Sequence, residues 1–289
     1  MKKIGFIGLG IMGKSMTRNL MKAGFELHIF ARTRGKVEDV IGEGAQFHET
    51  IAGCVKGCDA VITIVGFPKD VEEVYFAKGN ILDSAEKGTY LIDMTTTSPA
   101  LAEKIYAEGT KRGFHVMDAP VTGGDTGARN ATLSILAGGD KADFDACLPL
   151  FSAMGTNINY QGKAGCGQHA KLANQIMIAG ALSGVCEALT YARTKGLDLG
   201  VLLKSVSTGA AGSKQLDAFG PKILEGNFAP GFFMKHFIKD MGLADEEARN
   251  SGLQLEVLQA ALKNYRELAE KGLGDLGTQA LIKHYDRTL

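Results

Sequence analysis

A lysine and an asparagine three residues apart are the first candidates for chemistry in this sequence. Lys171 and Asn174 lie in a proline-free run, His169 to Lys195, whose richness in Ala, Leu, Ile and Met is typical of a long helix. Helical residues three apart share a face. A lysine buried among apolar residues is paired, or its pKa falls into the range of a general acid/base. The alternative is a surface lysine whose alkyl stem covers apolar neighbours.

A glycine-rich turn near the N-terminus predicts a phosphate-binding loop. It follows an apolar run predicted as the first strand and opens a predicted helix. The six residues of the turn are Gly8, Leu9, Gly10, Ile11, Met12 and Gly13. The first glycine permits a tight turn, the second lets backbone approach a pyrophosphate, and the third lets helix and strand pack closely. The helix N-terminus then offers free N–H groups to the phosphates. A plain glycine-rich turn is the alternative.

The end of the second predicted strand indicates which dinucleotide is bound. NAD sites usually carry an acidic residue about 20 residues past the loop, which accepts hydrogen bonds from the ribose. This chain has Ala31 there, followed by Arg32 and Thr33. A guanidinium can clamp a 2′-phosphate and stack on adenine, and a threonine hydroxyl can donate to the same phosphate. The pattern favours NADP(H), with NAD as the weaker option; a solvated basic loop is the alternative.

Two further segments carry groups suited to an acidic substrate. The residues Thr122, Gly123 and Gly124 come just after a predicted strand, where open α/β sheets bind ligands. A hydroxyl followed by two unhindered N–H groups forms a nest for a carboxylate, although an ordinary turn is the alternative. Farther along, Phe232 precedes Lys239. This segment is either a lid with a cofactor-facing charge or a core patch beside an ion pair.

The composition argues against several classes of partner. With 32 basic and 32 acidic residues the formal net charge is +0, which gives no electrostatic reason to expect nucleic acid or an anionic membrane. The five cysteines form no CxxC pair and no Cys/His metal spacing, so we expect reduced thiols in a cytoplasmic protein and no metal. Polar residues interrupt the long helical run, so we expect a helix buried between domains or subunits and not a membrane span.

Hydrophobic periodicity divides the chain into two parts. In the first, short apolar runs alternate with helical stretches, as in a parallel sheet with crossover helices. The predicted strands are Lys3–Ile7, Glu26–Phe30, Ala60–Val65, Tyr90–Asp93, His115–Met117, Leu133–Ala137 and Asn157–Tyr160. After Gly165 helical periodicity dominates. The sequence predicts an α/β sheet domain at residues 1–163 and an all-helical domain at residues 164–289.

Four motifs together resemble the β-hydroxyacid dehydrogenase family, which includes 3-hydroxyisobutyrate dehydrogenase and tartronate semialdehyde reductase. They occur in the family's order and spacing over essentially the whole chain: GFIGLGIMGKSMTRNL, DAPVTGG, GCGQHAKLAN and HFIKDMGLA. The resemblance implies a Rossmann-type NADP-binding domain and an all-helical domain for substrate binding and dimerisation, with the long helix between them. It also implies assembly as a homodimer or homotetramer.

The resemblance implies roles for individual residues. The lysine that matches Lys171 is the general acid/base, and the asparagine that matches Asn174 orients the substrate. The segment that matches residues 122–124 holds the substrate carboxylate; Thr122 stands where relatives often have serine, and its hydroxyl is retained. Phe232 is expected to shape the same pocket.

The resemblance also places residues beside the cofactor. The threonine that matches Thr96 and the lysine that matches Lys239 lie near the nicotinamide, and Val65 is expected on the cofactor side as well. These roles predict hydride transfer between C4 of the nicotinamide and a small β-hydroxy acid or its semialdehyde. In reduction Lys171, as ammonium, protonates the nascent alkoxide; in oxidation, as amine, it takes the hydroxyl proton.

We expect reduction of a short aldehydo-acid, such as a tartronate, succinic or glyoxylate-type semialdehyde. The sequence does not choose among them, because one methylene is worth only about 1–3 kcal/mol of discrimination. An imine reductase shares this architecture but usually lacks the lysine, and a 6-phosphogluconate-type enzyme has a longer helical domain. A non-catalytic dinucleotide-binding sensor or scaffold is the alternative from another class; it does not need a proton relay.

Overall fold

The protein, described by a computed structural model over residues 1–286, divides into two compact units. The first unit is Met1–Lys171, and the second begins at Leu172. The division falls inside the long helix, eight residues beyond the boundary at residue 163 that the sequence predicts. Residues 287–289 of the predicted helical domain lie outside the described residues.

One sheet of nine strands, counted over residues 1–286, forms the centre of the first unit. The strands are β1 (Lys3–Ile7), β2 (Glu26–Phe30), β3 (Gln46–Phe47), β4 (Ala60–Thr63), β5 (Tyr90–Asp93), β6 (His115–Asp118), β7 (Val121–Thr122), β8 (Leu133–Gly139) and β9 (Gly155–Gly162). Their order is β3-β2-β1-β4-β5-β6-β8-β7, with β9 paired to β8. Strands β1 to β6 run parallel, and β8 is antiparallel to β6 and β7. The order reverses between β1 and β4, where open α/β sheets bind ligands.

Helices cover both faces of this sheet. They are α1 (Ile11–Lys22), α2 (Glu38–Gly42), α3 (Ile51–Val55), α4 (Pro68–Phe76), α5 (Ile81–Ser84), α6 (Pro99–Lys111), α7 (Gly124–Arg129), α8 (Lys141–Ser152) and the start of α9 (Cys166–Thr194). Successive strand residues enter two separate cores: Phe6 and Ile62 pack in one, Ile7 and Val61 in the other. This two-sided burial is why the strands read as continuous apolar runs. The predicted Rossmann-type fold is confirmed.

The structure corrects the predicted strand limits in several places. The prediction Ala60–Val65 is too long, because β4 ends at Thr63 and the N–H of Val65 donates to Oγ1 of Thr95 instead of a ladder partner. Sequence reasoning missed the two-residue strands β3 and β7, which are too short for an alternating pattern to appear. Three strands continue beyond their predicted ends, namely β6, β8 and β9.

The regular elements of the second unit, over its described residues, are helices joined by loops. After the remainder of α9 come α10 (Leu199–Val206), α11 (Lys214–Leu224), α12 (Met234–Asn250), α13 (Glu256–Leu268) and α14 (Ile282–Tyr285), with a π-type turn at Ala269–Leu273 and a 3-10 turn at Thr278–Leu281. Phe237 and Tyr265 are fully buried and their rings meet edge to face at 5.3 Å in the core. An isolated bridge between Phe233 and Gly277 fixes the chain before α12.

The long helix α9 begins at Cys166, three residues earlier than predicted, and ends at Thr194. Among residues 1–286 it is the one helix whose length and composition would allow it to cross a membrane. Its residues Leu182 and Cys186 are buried in the core of the second unit, whereas Met177 is 68% exposed and Tyr191 is 65% exposed. The homodimer or homotetramer expected through this helix stays a prediction.

Candidate active site

The glycine-rich turn has the geometry of a phosphate-binding loop. It connects β1 to α1, and Leu9 is buried while Ile11 is 47% exposed. Gly8 has φ +102°, and a Cβ there would overlap the carbonyl oxygen of Ile64. A Cβ at Gly13 would overlap the carbonyl oxygen of Gly8. These two glycines are therefore required by the packing of the protein itself.

The middle glycine of the turn differs from the other two. Gly10 is extended, with φ −78°, and a Cβ there would meet nothing within 4 Å. It is also the N-cap of α1, and no side chain caps that helix end. The empty space above Gly10 and the first N–H groups of α1 fit a pyrophosphate that approaches the backbone closely.

Arg32 lies at the carboxyl end of β2, where the sequence predicts recognition of a 2′-phosphate. Its side chain is 71% exposed, and Nη2 donates to Oδ1 of Asp70 at 2.6 Å. Asp70 is buried, and its Oδ2 accepts the N–H of Phe67 at the start of α4. Thr33, the next residue after Arg32, is exposed. Sequence reasoning missed Asp70, although a carboxylate in the first turn after Phe67-Pro68 is a helix-capping signal.

The loop after β5 is tied to the loop after β4. The N–H of Val65 donates to Oγ1 of Thr95 at 2.9 Å, and the N–H of Thr95 donates to Oδ1 of Asp93 at 3.1 Å. The same Asp93 oxygen accepts the hydroxyl of Thr63 at 2.7 Å. Thr96 is half-buried between buried neighbours. The backbone at Thr96 is therefore fixed at the carboxyl edge of the sheet while its side chain is accessible.

The segment predicted to hold a carboxylate lies at the end of β7. Thr122 is half-buried, and the following Gly123 and Gly124 are exposed with φ +128° and +64°. Successive positive φ values suit glycine alone and turn backbone N–H groups away from a regular ladder. An exposed, irregular N–H pair beside a hydroxyl is the kind of concavity that binds anions.

The first turn of α9 rests directly on backbone from two strands. Asp118, at the end of β6, is 3% exposed, and its two oxygens accept the N–H groups of Gly165 and Gln168, both at 2.8 Å. A Cβ on Gly167 would overlap the carbonyl oxygen of Leu136 and lie 2.6 Å from that of Asp118. Only glycine at position 167 therefore permits so close an approach of α9 to the two strands. Burial raises the pKa of Asp118 to about 6.

Lys171 lies one helical turn beyond this contact. It is 7% exposed, so it is a buried lysine and not a surface residue. Burial is the condition under which the sequence predicts an acid/base role for it. That role stays a prediction.

The second unit joins two predicted site residues through a buried hydrogen-bond chain. Nδ2 of Asn174 donates to Oε1 of Gln175 at 2.8 Å, and Nε2 of Gln175 donates to Oδ2 of Asp240 at 2.6 Å. Oδ1 of Asp240 pairs with Nζ of Lys239 at 2.8 Å. Gln175 and Asp240 are each 1% exposed. The sequence analysis considered an ion pair at this segment as one of two alternatives and assigned no role to Gln175.

Phe232 is 36% exposed just before α12, stacked on His236 with ring centroids 6.5 Å apart. The first unit thus brings the phosphate loop, Val65, Thr96 and the carboxylate segment to the ends of its strands. In the second unit, Asn174 and Lys239 are linked by one chain of hydrogen bonds through Gln175 and Asp240. Among residues 1–286, no cluster of three or more His, Cys, Asp or Glu side chains is placed to hold a metal ion.

Comparison with known proteins covers both units. The profile for the NAD binding domain of 6-phosphogluconate dehydrogenase matches residues 3–162, and that for the NAD-binding region of NADP-dependent 3-hydroxyisobutyrate dehydrogenase matches residues 165–285. An uncharacterized oxidoreductase of Bacillus subtilis is 49% identical over 282 residues, covering 98% of both chains. The 2-hydroxy-3-oxopropionate reductase of Escherichia coli is 36% identical, covering 97% of this chain and 96% of that protein. A solved structure of Mycobacterium tuberculosis 3-hydroxyisobutyrate dehydrogenase with L-serine has a TM-score of 0.89 and 28% identity, covering 98% of both.

The second and third glycines of the phosphate loop, Gly10 and Gly13, should respond differently to alanine. Gly13→Ala should lower the free energy of unfolding of the cofactor-free protein by about 1–3 kcal/mol, because the new Cβ overlaps Gly8. Gly10→Ala should leave that stability within about 0.5 kcal/mol of wild type but weaken NADPH binding at least tenfold. Urea unfolding and fluorescence titration measure the two effects. Undiminished NADPH binding by Gly10→Ala would contradict the assignment of Gly10 to the pyrophosphate-binding site.

The stability contributed by Asp118 should fall as pH rises. Its ordinary pKa of 3.8 is raised to about 6 in the folded protein by burial, so folding favours the protonated carboxyl. This contribution is complete below about pH 4 and lost through pH 6, and it is worth about 3 kcal/mol. In urea, the stability of wild type relative to Asp118→Asn should be lower at pH 7 than at pH 4 by about this amount. An equal difference at both pH values would sink the prediction.

Proposed function

Because the chain belongs to the β-hydroxyacid dehydrogenase family, whose members are NAD(P)-dependent oxidoreductases acting on CH–OH donors, we propose that it transfers a hydride between NADP(H) and a small β-hydroxy acid or its semialdehyde. The observation that carries this proposal is the burial of Lys171. This lysine lies one turn beyond the contact between α9 and the strand ends, in the same unit as the phosphate loop. A dinucleotide-binding module without catalysis has no use for such a lysine.

The protein's part in the reaction is orientation and proton handling. A bound nicotinamide supplies the hydride chemistry. Lys171 donates a proton to the substrate oxygen during reduction and accepts it during oxidation. Thr122 and the N–H groups of Gly123 and Gly124 hold the substrate carboxylate. From the second unit, Asn174, whose Nδ2 donates to Gln175, is proposed to orient the substrate, and Phe232 is proposed as a substrate-binding residue.

Reduction of a short aldehydo-acid is the working direction that we propose. The Escherichia coli relative is named for reducing 2-hydroxy-3-oxopropionate, which is tartronate semialdehyde. That acid, succinic semialdehyde and glyoxylate all combine a reducible carbonyl with a carboxylate. The carbonyl matches Lys171 as proton donor, and the carboxylate matches the anion-binding segment at residues 122–124. Within this class we favour the three-carbon acid, since it is the substrate in that relative's name.

NADP(H) is the cofactor that we propose, with NAD as the weaker option. The absence of an acidic residue at Ala31 removes a ribose acceptor that NAD sites use. Arg32 is exposed but held by the buried Asp70 through one nitrogen, Nη2. A guanidinium fixed at one corner retains further N–H groups for a 2′-phosphate and loses less freedom when it binds. The hydroxyl of Thr33 adds a neutral donor.

Lys171→Met should abolish turnover without loss of cofactor binding. Purified protein is offered short aldehydo- and keto-acids, and consumption of NADPH is followed by absorbance. We expect the wild type to reduce at least one acid and kcat of Lys171→Met to fall by about 10²–10⁴-fold, with the Kd for NADPH within about twofold. Lys163→Met, which removes an exposed lysine before α9, is the matched control and should keep full activity. An active Lys171→Met enzyme refutes the mechanism, and tight NADPH binding without turnover of any acid refutes the substrate class.

Arg32→Gln should remove the preference for NADPH. A charge-assisted hydrogen bond is worth about 1.5–3 kcal/mol, so KM for NADPH should rise at least tenfold while KM for NADH changes little. Arg34→Gln is the control, because Arg34 stands in the same loop and pairs with Glu38. Equal effects of Arg32→Gln on both cofactors would show that this arginine does not read the 2′-phosphate.

A further inference from the structure

A single side chain attaches the first turn of α9 to the loop that carries Thr96. Gln168 is completely buried. Its Oε1 accepts the N–H of Thr97 at 2.9 Å, and its Nε2 donates to the carbonyl of Thr95 at 2.8 Å. The two bonds therefore fix the backbone immediately before and after Thr96. No other orientation of the amide satisfies both groups, since one needs an acceptor and the other a donor.

Gln168 is itself held against the sheet. Its own N–H donates to Oδ2 of Asp118, and Gly165 donates to the other oxygen of that carboxylate. A Cβ on Gly138 would lie 2.7 Å from Oδ1 of Asp118, so β8 also approaches this carboxylate as closely as its backbone allows. The turn cannot slide along the sheet without breaking these bonds. It is a rigid base for the side chain of Gln168.

Lys171 follows Gln168 by three residues. Residues three apart share one helix face and are separated by about 4.5 Å along the axis. The face that Gln168 presents to the loop at 95–97 is therefore also the face that carries the buried Lys171. One side chain thus sets the distance between the proposed acid/base and the loop proposed to contact the nicotinamide.

We propose that Gln168 is a positioning residue for hydride and proton transfer, acting through Lys171 and Thr96. This inference rests on the proposed function. In this proposal Gln168 does not contact substrate; it holds the proposed acid/base and the loop proposed to contact the nicotinamide in one fixed relation. Catalysis is sensitive to such relations, because a displacement of about 1 Å costs about 10²-fold in rate.

The test replaces Gln168 with methionine, which has a similar length and no hydrogen-bonding amide. We expect kcat to fall by about 10²-fold, with KM for NADPH and for the acid within about twofold of wild type. The primary isotope effect on kcat with NADPH deuterated at C4 should rise, because hydride transfer becomes rate-limiting. The control is Thr89→Val, since Thr89 is 3% exposed and donates to the carbonyl of Cys58 at the opposite end of β5. It should lower stability and leave kcat and the isotope effect unchanged.

Gln168→Glu provides a rescue experiment. Burial raises the pKa of the introduced carboxyl, and in its protonated form it can still donate to Thr95 and accept from Thr97. Activity relative to wild type should therefore be nearly full at low pH and fall as pH rises. Two other carboxyl groups lie close by: Asp93 is hydrogen-bonded to Thr95, and Asp118 to the N–H of residue 168. Both are present in wild type and in Gln168→Glu, so the ratio of the two activities removes the effect of their own titration. A ratio that does not change with pH, together with full activity of Gln168→Met, would overturn the proposal.

Amide hydrogen exchange tests the same attachment without turnover. In the cofactor-free protein, peptides that cover residues 95–97 should lose protection in Gln168→Met and keep it in Thr89→Val. Unchanged protection at residues 95–97 overturns the proposal, whatever the kinetics. If the wild type reduces no acid, the proposed function fails, and the exchange result alone decides whether Gln168 fastens this loop to the helix.

Discussion

The close contact between the first turn of α9 and the strand backbone is the constraint on which the rest of the site depends. Gly167 allows the helix to lie on the carbonyls of Leu136 and Asp118, and Gly165 takes the positive φ of +85° that lets the chain enter the helix. Asp118 then supplies two acceptors to N–H groups that a buried helix start would otherwise leave without partners. The position of Lys171 follows from this contact, because a helix is stiff over one turn.

Two cations among the predicted site residues are each paired locally with one carboxylate. Arg32 is paired with Asp70, and Lys239 with Asp240. Ion pairs of this kind are weak evidence for stability but hold side chains in one place. In the proposed site, backbone N–H groups and hydroxyls are expected to meet the pyrophosphate and the substrate carboxylate, and the guanidinium of Arg32 the 2′-phosphate.

Sequence patterns predicted the parts of the site that are local in the chain. The glycine-rich turn and the strands β1, β2 and β5 follow from periodicity and from glycine at fixed offsets, which one segment displays by itself. The burial of Lys171 did not follow, because a surface lysine was equally consistent with the helical pattern; the structure shows that it is buried. Gln168, Gln175 and Asp240 were not singled out from the sequence, because the side chain of each forms a hydrogen bond with a partner 65–73 residues away. A glutamine in an apolar helix gives no sign of which backbone it will meet. The glycines of GCGQ were a visible signal, and their meaning required the structure.

A crystal structure with NADP⁺ and a β-hydroxy acid tests the central claim most directly, that a docked helix delivers Lys171 to the reacting oxygen. The account predicts Nζ of Lys171 within about 2.6–3.2 Å of the substrate hydroxyl. The carbon that carries this hydroxyl should face C4 of the nicotinamide. The account also predicts both amide bonds of Gln168 intact. A bound substrate whose hydroxyl meets another side chain, with Lys171 out of reach, would contradict it.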